Sequence, residues 1–340
     1  MSKLIKIGVD AMGGDHAPVE IVKGAFLAVE KYTDAEITLY GKEADIKKYL
    51  PANHNRIKIV HCQDCIPMDT SDPALAIRRM KESSLVVASR AIKKGDVDAV
   101  VSAGATGALI AAGTLLVKRL TSVDRPALAP LLPTVKKTKI TILCDAGATS
   151  EAKASFIYQN AKLADIYARV VLGIESPTIG LLNIGTEDAK GGTEQVEAFA
   201  LLKNDEHLNF VGNIESKSMI SGIVDIIATD GYAGNIALKA VEGTAKDIFA
   251  LLKEEILATT KGKLGGLLLK STFANIRDMM NPKTVGGAIL LGIQAPVIKS
   301  PGSSDAETLM YSIEHAKKAI QNDVVAKIDL ALSESKKMTL

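Results

Sequence analysis

The sequence predicts an α/β protein of three layers, in which a mixed and mostly parallel sheet lies between helices. Short apolar runs alternate with stretches of helical period through most of the 340 residues, as is typical of parallel sheets. Aromatic residues make up only 4% and tryptophan is absent, so small and aliphatic side chains must fill the interior. Two neighbouring apolar runs, 128–133 and 140–145, flank the basic turn 136–139 and predict a hairpin, which makes the sheet mixed.

The elements follow from the same patterns in chain order. The predicted strands are apolar runs that end at polar or glycine residues: 6–9, 37–40, 57–61, 99–102, 128–133, 140–145, 178–184, 209–211, 225–229, 287–291 and 295–300. The predicted helices have apolar residues three and four apart: one that opens at Pro18, then 45–50, 73–94, 109–118, 155–171, 194–203, 241–258, 264–280 and 306–332. No repeat or Pro/Ser-rich linker interrupts them. We therefore expect one unit over 1–340, with a protruding helical hairpin at 241–281.

Charge and composition exclude several classes of function. The chain has 41 basic and 39 acidic residues and a net charge of +2, without the basic excess of a nucleic-acid-binding protein. No run of 18 apolar residues predicts a membrane span, and the first residues do not form a signal peptide. The three cysteines do not suggest a disulfide framework. We expect a cytoplasmic protein that binds no nucleic acid.

Glycine-rich polar segments follow six of the predicted strands: 10–15, 102–107, 145–147, 183–191, 230–235 and 299–304. Ligands bind at the carboxyl ends of strands in open α/β sheets, and glycine lets backbone N–H groups approach an anion. A single segment of this kind is usually only a turn, but six on one predicted edge indicate a binding site. The chain has no dinucleotide loop, P-loop or G-x-S-x-G elbow. A small anion such as phosphate, with no cofactor, is the expected occupant.

A metal site is not expected. Cys62 and Cys65 form a single C-x-x-C pair beside His61, whereas a structural zinc site needs four ligands. His54, His207 and His315 lie in polar stretches, where we expect them to be solvated.

The ordered motifs resemble those of the PlsX phosphate acyltransferase family over residues 5–325, essentially the whole chain. The matching segments are VDAMGGD (9–15) with Ala17-Pro18, VSAGATGA (101–108), RPAL (125–128), LLNIGTE (181–187), Lys190-Gly191, DGYAGN (230–235) and VIKS (297–300). The resemblance implies a fold like that of isocitrate and isopropylmalate dehydrogenases, shared with phosphotransacetylases, and a homodimer. It also implies acyl transfer from acyl carrier protein to inorganic phosphate, giving acyl phosphate for phospholipid synthesis.

The resemblance also implies roles for individual residues. The catalytic candidates are Asp10, Lys190, Asp230, Asn235 and Lys239. The candidates for binding phosphate or substrate are Gly13, Gly14, Ser102, Gly104, Thr106, Gly107, Arg125, Asp145, Asn183, Gly185, Gly231, Gly234, Lys299 and Ser300. Phosphate is itself a nucleophile, so the site must chiefly position the reactants and stabilise developing negative charge. The aspartates are expected to orient cations and amides, although helix capping would also explain them.

Three positions depart from the family pattern. Ala105 stands where the family has Asn, Thr149 stands in place of Asn, and Pro301 stands in place of His. Each change removes or shortens a side chain that could bond a ligand. A carrier-binding scaffold without activity and a phosphotransacetylase acting on acyl-coenzyme A therefore stay open as alternatives. The cations Arg78, Arg79 and Lys81 are expected to border the carrier or phosphate site; the alternative is that they form a solvated basic face behind a capped helix start.

A lysine-flanked apolar segment lies in the predicted helical hairpin. Leu264, Leu267, Leu268 and Leu269 stand among Lys261, Lys263 and Lys270, a combination that can rest in a membrane interface. Members of the resembled family associate with membranes peripherally, and we expect the same here. The alternative is that these leucines fill a core or dimer interface.

Overall fold

The computed structural model describes residues 4–136, 139–279 and 286–338, with side chains omitted for 277–279 and 335–338. Within these residues, eleven strands form one sheet in the order β3-β2-β1-β4-β11-β10-β5-β6-β9-β7-β8. The strands are β1 Ile5–Asp10, β2 Ala35–Gly41, β3 Ile57–His61, β4 Ala99–Ser102, β5 Ala127–Pro133, β6 Ile140–Cys144, β7 Thr178–Asn183, β8 Asn209–Glu215, β9 Ile226–Ala228, β10 Ala288–Leu291 and β11 Val297–Lys299. Only the β5–β6, β5–β10 and β10–β11 pairs are antiparallel, which confirms the mixed, mostly parallel sheet and the predicted hairpin.

Helices cover both faces of the sheet. They are α1 Val19–Lys31, α2 Glu43–Lys47, α3 Pro73–Arg79, α4 Ser84–Lys94, α5 Thr106–Ala112, α6 Ala154–Leu172, α7 Thr193–Asn204, α8 Gly231–Ala258, α9 Thr260–Leu268, α10 Lys270–Met279, α11 Ala306–Gln321 and α12 Val324–Met338. The predominance of fully buried alanine, valine, leucine and isoleucine in the core agrees with the low aromatic content. The predicted three-layer α/β architecture is confirmed.

The two ends of the sheet run in opposite directions and meet at β5. Lys299 of β11 lies opposite Ala288, which lies opposite Pro130 of β5. From the other side, β6 ends against the same part of β5, where the Ala146 N–H donates to the Leu128 carbonyl oxygen (2.8 Å). The carboxyl ends of β1, β4 and β11 therefore face those of β6 and β9. Loops that belong to two oppositely directed sets of strands share one cleft.

Several predicted helix boundaries were wrong. The predicted helix 73–94 divides into α3 and α4, because the Ser84 N–H and Glu82 carbonyl bond to Asp64 (3.0 and 3.4 Å) instead of continuing the helix. The predicted helix 306–332 divides at Asn322, whose side chain caps the last turn of α11 by donating to the Lys318 carbonyl (2.9 Å). The predicted helix 109–118 begins at Thr106 and continues as π-helix from Gly113 to Lys118.

The predicted hairpin also differs in detail. Its first helix, α8, begins at Gly231 rather than at 241, and the predicted connection 259–263 is helical from Thr260. Of the α8 residues, only Gly231 and Gly234 are buried. Met280 and residues 137–138 of the basic turn lie outside the described residues.

Candidate active site

Three loops on one side of the cleft are bonded to each other. They follow β1, β4 and β11, and their backbones join where the Ser300 N–H donates to the Ser102 carbonyl and the Asp15 N–H to the Gly302 carbonyl, both at 2.9 Å. The Ser102 hydroxyl accepts from the Gly104 N–H (3.0 Å). Predicted site residues from three separate segments thus form one rigid surface.

Asp10 lies at the centre of this surface, where it is almost fully buried. Its carboxylate accepts from the Ser102 hydroxyl (2.7 Å) and the Met12 N–H (3.3 Å). Burial raises the pKa of Asp10, while these hydrogen bonds act in the opposite direction. A side chain at position 13 would lie 2.5 Å from the Asp10 carboxylate and 2.8 Å from the Gly104 nitrogen, so only glycine fits there. Asp10 acts here by orienting the glycine loops.

Lys299, at the end of β11, is a buried cation that faces the cleft. It is 9% exposed, and its ammonium group donates to the carbonyl oxygens of Ser300 (2.5 Å) and Ala103 (3.4 Å). Within the described residues, no acidic side chain forms an ion pair with it. Burial, together with the positive charge of Lys239 on α8, lowers the pKa of Lys299 to about 8, against opposing effects of Asp15, Asp10 and Glu242. Such a site favours an anion.

A chain of buried hydroxyl groups supports the loop after β11. Ser312 of α11 donates to the Ser300 hydroxyl (2.8 Å), which also bonds the Ser304 hydroxyl (2.8 Å). Ser304 in turn donates to the Pro301 carbonyl (2.5 Å). The carbonyl of Pro301 therefore holds this loop even though the residue has no polar side chain. Ser304 and Ser312 were not among the predicted site residues; the usable signal for Ser312 was a serine on the apolar face of a helix.

Asp145 holds the opposite side of the cleft. Its fully buried carboxylate accepts from the backbone N–H groups of Leu128, Gly147, Ala148 and Thr149 at 2.8–3.1 Å, and from the Thr149 hydroxyl at 2.9 Å. Burial raises the pKa of Asp145 and the hydrogen bonds oppose that effect. Five donors on one carboxylate fix the shape of the loop. Thr149 thus contributes a side-chain donor at the position where the sequence departs from the resembled family.

The N-terminus of α8 packs directly against this loop. Asp230 caps the helix by accepting from the Ala233 N–H (2.8 Å). A side chain at position 231 would lie 2.5 Å from the Asp145 carboxylate, and one at 234 would overlap the Asp145 carbonyl oxygen, so both positions require glycine. The side chain of Asn235 lies beside Gly147. The free N–H groups and positive end of the helix dipole consequently point into the cleft.

A third group of predicted residues lies after β7. The Asn183 amide donates to the Lys190 carbonyl (2.9 Å), and Gly191 adopts a positive φ of 100° close to the Asn183 side chain. Lys190 is half-exposed and its ammonium group lies 3.9 Å from the Glu187 carboxylate. Gly185 lies against these two side chains. This loop borders α8 through a groove that both line, away from Lys299.

The remaining candidates divide between the cleft and the surface. Thr106 and Gly107 form the first turn of α5, which Ala105 precedes without a side-chain cap, leaving their N–H groups open. Gly14, with φ of 110°, lies against Ala103 and the Gly302 carbonyl. Arg125 lies on the surface, with its guanidinium 5.9 Å from the ring centre of Phe156, and no described contact joins it to the cleft. Its proposed role stays a prediction.

Neither a reactive cysteine nor a metal-binding cluster of side chains is found near this cleft among the described residues. Burial raises the pKa of Cys62 to about 11 and that of Cys144 well above its usual value, so neither is a ready thiolate. Among the described residues, no three His, Cys, Asp or Glu side chains are grouped to hold a metal. His315 is buried, contrary to our expectation of a solvated side chain, because Tyr167 and the Gly286 carbonyl supply polar partners inside the protein.

Comparisons with known proteins identify the family of the chain. The family model described as "Fatty acid synthesis protein" matches residues 5–327. The chain is 43% identical over 97% of its length to a phosphate acyltransferase of Bacillus cereus (strain G9842), of which it covers 99%. It is 44% identical over 97% of its length to one from Geobacillus thermodenitrificans (strain NG80-2), covering 100%.

Solved structures share the fold at low sequence identity. A phosphotransacetylase from Streptococcus pyogenes superposes with a TM-score of 0.62 at 16% identity, covering 95% of each chain. A putative 4-hydroxythreonine-4-phosphate dehydrogenase from Salmonella typhimurium gives 0.52 at 16% identity, covering 94% of this chain and 99% of the other. These likenesses concern the fold alone and agree with the predicted dehydrogenase-like architecture. In the part of the chain that the structure describes, no helix is both long and apolar enough to cross a membrane.

Proposed function

The chain belongs to the PlsX family of phosphate acyltransferases, and from that premise we propose that it takes its acyl group from acyl carrier protein and transfers it in the cleft at β5. The chain is an acyltransferase of lipid synthesis that uses phosphate as acceptor. The observation that carries the proposal is Lys299, a buried cation at the end of β11 with no acidic side chain paired to it in the described structure. A phosphate dianion supplies the missing negative charge.

We assign phosphate to the space between Lys299 and the N-terminal turns of α8. Lys239 is exposed on α8 and paired with Glu242 (2.7 Å), and its positive charge is close enough to lower the pKa of Lys299. The N–H groups of Thr106 and Gly107, which have no described hydrogen-bond acceptor, offer further donors from the first turn of α5. Holding phosphate and acyl donor in one cleft makes the attack effectively unimolecular, which can contribute ~7–11 kcal/mol to lowering the barrier.

The chemistry needs no covalent enzyme intermediate. A phosphate oxygen attacks the thioester carbon, a C–O bond forms, and the C–S bond breaks to release the carrier as a thiolate that then takes up a proton. Negative charge develops on the thioester oxygen during the attack. Backbone N–H groups in the first turns of α5 (Thr106 and Gly107) and of α8 (Gly231 and Tyr232) are suited to receive that charge, because no described acceptor is bonded to them. Asp10 and Asp145 fix the loops beside these two turns.

Exposed cations on and after α3 support a protein partner as the acyl donor. Arg78 and Arg79 are exposed at its C-terminal end, and Lys81 follows in the next loop. The N-terminal end of α3 reaches the glycine loop, where a side chain at position 107 would lie 2.8 Å from the Pro73 ring. A partner bound to these cations would therefore stand beside the cleft entrance.

The identity of the acyl donor is tested by comparing acyl-loaded carrier protein with acyl-coenzyme A of the same acyl chain length. We expect phosphate-dependent thiol release from the carrier at a kcat/KM at least tenfold above that from coenzyme A. An Arg78→Glu/Arg79→Glu variant should lose this preference, while a Lys93→Glu/Lys94→Glu variant on neighbouring α4 serves as the charge-matched control. Equal or better use of acyl-coenzyme A by the wild type would favour the phosphotransacetylase alternative.

We further propose that the protein is a homodimer that docks on membranes through α9. Leu264, Leu267 and Leu268 are exposed on this helix, Leu268 to 76%, and Leu269 follows it at 49%. Lys261, Lys263 and Lys270 are exposed around them. An exposed apolar helix with flanking lysines suits the interface of an anionic membrane. An amphiphilic acyl phosphate could then pass to an enzyme in the bilayer without crossing much water.

A further inference from the structure

A groove of about 1000 Å³ runs along α8 beside the candidate active site, and the scheme above does not use it. One wall is a face of α8 that runs from Tyr232 to Phe249. The other wall consists of the loop after β7 and of segment 216–220. At about 1.5 Å per residue, the α8 wall is about 25 Å long.

The groove is apolar although it is open to solvent. Ile184 on the β7 loop is 81% exposed, and Tyr232, Ile236 and Ile248 on α8 are also exposed. An apolar groove that is open to solvent can serve as a ligand-binding site. Among the described residues that line the groove, Lys217 carries the one charge outside the active-site end, so the groove suits a long uncharged chain.

One end of the groove reaches the active site. Asp230, which caps α8, lines that end together with Asn183 and Gly191. Asn235 and Lys239 of the same helix do not line the groove: Lys239 lies near Lys299, and the Asn235 side chain lies beside Gly147. The same helix therefore separates a polar cleft from an apolar groove, and the two meet at its N-terminus.

We propose that this groove binds the fatty acyl chain of the donor, with the thioester carbon at the N-terminus of α8 and the methyl end toward Phe249. The inference rests on the proposed function, which requires a long acyl chain to be held next to phosphate. A bilayer core of ~30 Å holds two layers of chains, so one chain needs ~15 Å and fits within the groove. Each CH₂ group removed from water strengthens binding about fourfold, so the groove favours long chains.

The test narrows the groove at two depths and measures kcat/KM for carrier proteins loaded with butanoyl, decanoyl and hexadecanoyl groups. Ala240→Phe should lower kcat/KM for the decanoyl and hexadecanoyl donors tenfold or more, and leave the butanoyl donor within twofold. Thr244→Phe, one turn farther from the active site, should impair the hexadecanoyl donor most. Ala250→Phe on the same helix outside the groove is the matched control, and should change none of the three. The KM for phosphate should stay within twofold in every variant.

The proposal is overturned if the Ala240→Phe enzyme, shown to be folded by its circular dichroism, still uses the hexadecanoyl donor like the wild type. It is also overturned if all three donors lose activity equally and light scattering shows that the variant has become monomeric, because the groove would then hold a second copy of the chain. In both cases, the wild type still transfers acyl groups to phosphate and the proposed function stands. A wild type that uses no acyl carrier at any chain length would instead refute the proposed function itself.

Discussion

Lys239 and Lys299 approach the same cleft from two different elements, and the charge of Lys239 helps to lower the pKa of the buried Lys299 to about 8. Burial removes the hydration of Lys299, and the nearby charge of Lys239 disfavours its cationic form further, although Glu242 pairs with Lys239 at 2.7 Å. A bound dianion removes both penalties. This pair is the electrostatic basis on which we place phosphate.

The first prediction concerns pH. Lys299 is cationic below its pKa of about 8 and neutral above it, so affinity for phosphate should decline as the pH rises through that value. We expect kcat/KM for phosphate to fall about tenfold for each pH unit above 8, since kcat/KM reports the free enzyme. A Lys299→Arg variant keeps its charge at every accessible pH and should lack this decline. A wild-type profile that is flat from pH 7 to 9.5 would contradict the role of Lys299.

The second prediction concerns Thr149, whose hydroxyl donates to the buried Asp145 carboxylate (2.9 Å). Thr149→Val keeps the shape and removes the donor, which should cost ~1.5–3 kcal/mol of unfolding free energy because the acceptor is a buried carboxylate. Urea denaturation measures this loss. Thr121→Val, at an exposed threonine without a described hydrogen bond, is the control and should change the free energy by less than ~0.5 kcal/mol. Equal stability of the two variants would show that Thr149 is not needed.

The third prediction concerns His315, which the fold keeps neutral. Burial lowers its pKa from 6.5 to about 4, and its ring bonds the Tyr167 hydroxyl (2.5 Å) and the Gly286 carbonyl (3.0 Å). Between pH 6.5 and about pH 4, His315 is protonated in the unfolded chain but neutral in the folded chain. Stability should therefore fall between these values, by up to ~3 kcal/mol.

Denaturant titrations between pH 7 and 4 test this assignment. His315→Gln should be less stable at pH 7 but lose less stability on acidification than the wild type. His207→Gln, at an exposed histidine, should follow the wild-type profile. Parallel profiles for the wild type and His315→Gln would mean that this histidine does not contribute to the acid sensitivity.

The fourth prediction concerns α9. Burying a leucine in the membrane interface contributes ~1.5–3 kcal/mol, and each nearby lysine adds ~1 kcal/mol on an anionic surface. Leu267→Glu/Leu268→Glu should leave activity and dimerisation unchanged and reduce co-sedimentation with phosphatidylglycerol vesicles at least tenfold. Leu251→Glu, an exposed leucine on α8, is the control for apolar surface elsewhere. Loss of the dimer in the α9 variant, or undiminished vesicle binding, would refute membrane docking.

The sequence predicted the sheet, its mixed character and most of its strands, because short apolar runs reflect burial directly. It could not predict that the strands ending at Lys299 and at Cys144 face each other, since an apolar run carries no information about its direction. That relationship depends on long-range pairing of β10 with β5. It is the reason that loops distant in the sequence share one cleft.

Local signals failed where tertiary contacts overrode them. The helix predicted over 73–94 breaks because residues 82–84 bond to Asp64, a partner that no helical pattern reveals. The start of α8 was hidden by Gly231 and Gly234, which have low helix propensity but permit contact with the Asp145 loop. Asp230 was the available signal, because an aspartate at that position caps a helix. His315 was predicted to be solvated because its sequence neighbours are polar, but those neighbours lie on other sides of α11 and His315 itself is buried.

The most direct test of the account is to incubate the protein with hexadecanoyl-carrier protein, vary inorganic phosphate, and measure carrier thiol and trapped acyl phosphate together. Hydroxylamine converts an acyl phosphate to a hydroxamate that can be quantified beside the thiol. We predict thiol release that saturates with phosphate, with one hydroxamate formed for each thiol. Thiol release that is independent of phosphate, or that yields no hydroxamate, would contradict the assignment of phosphate to the Lys239–Lys299 cleft.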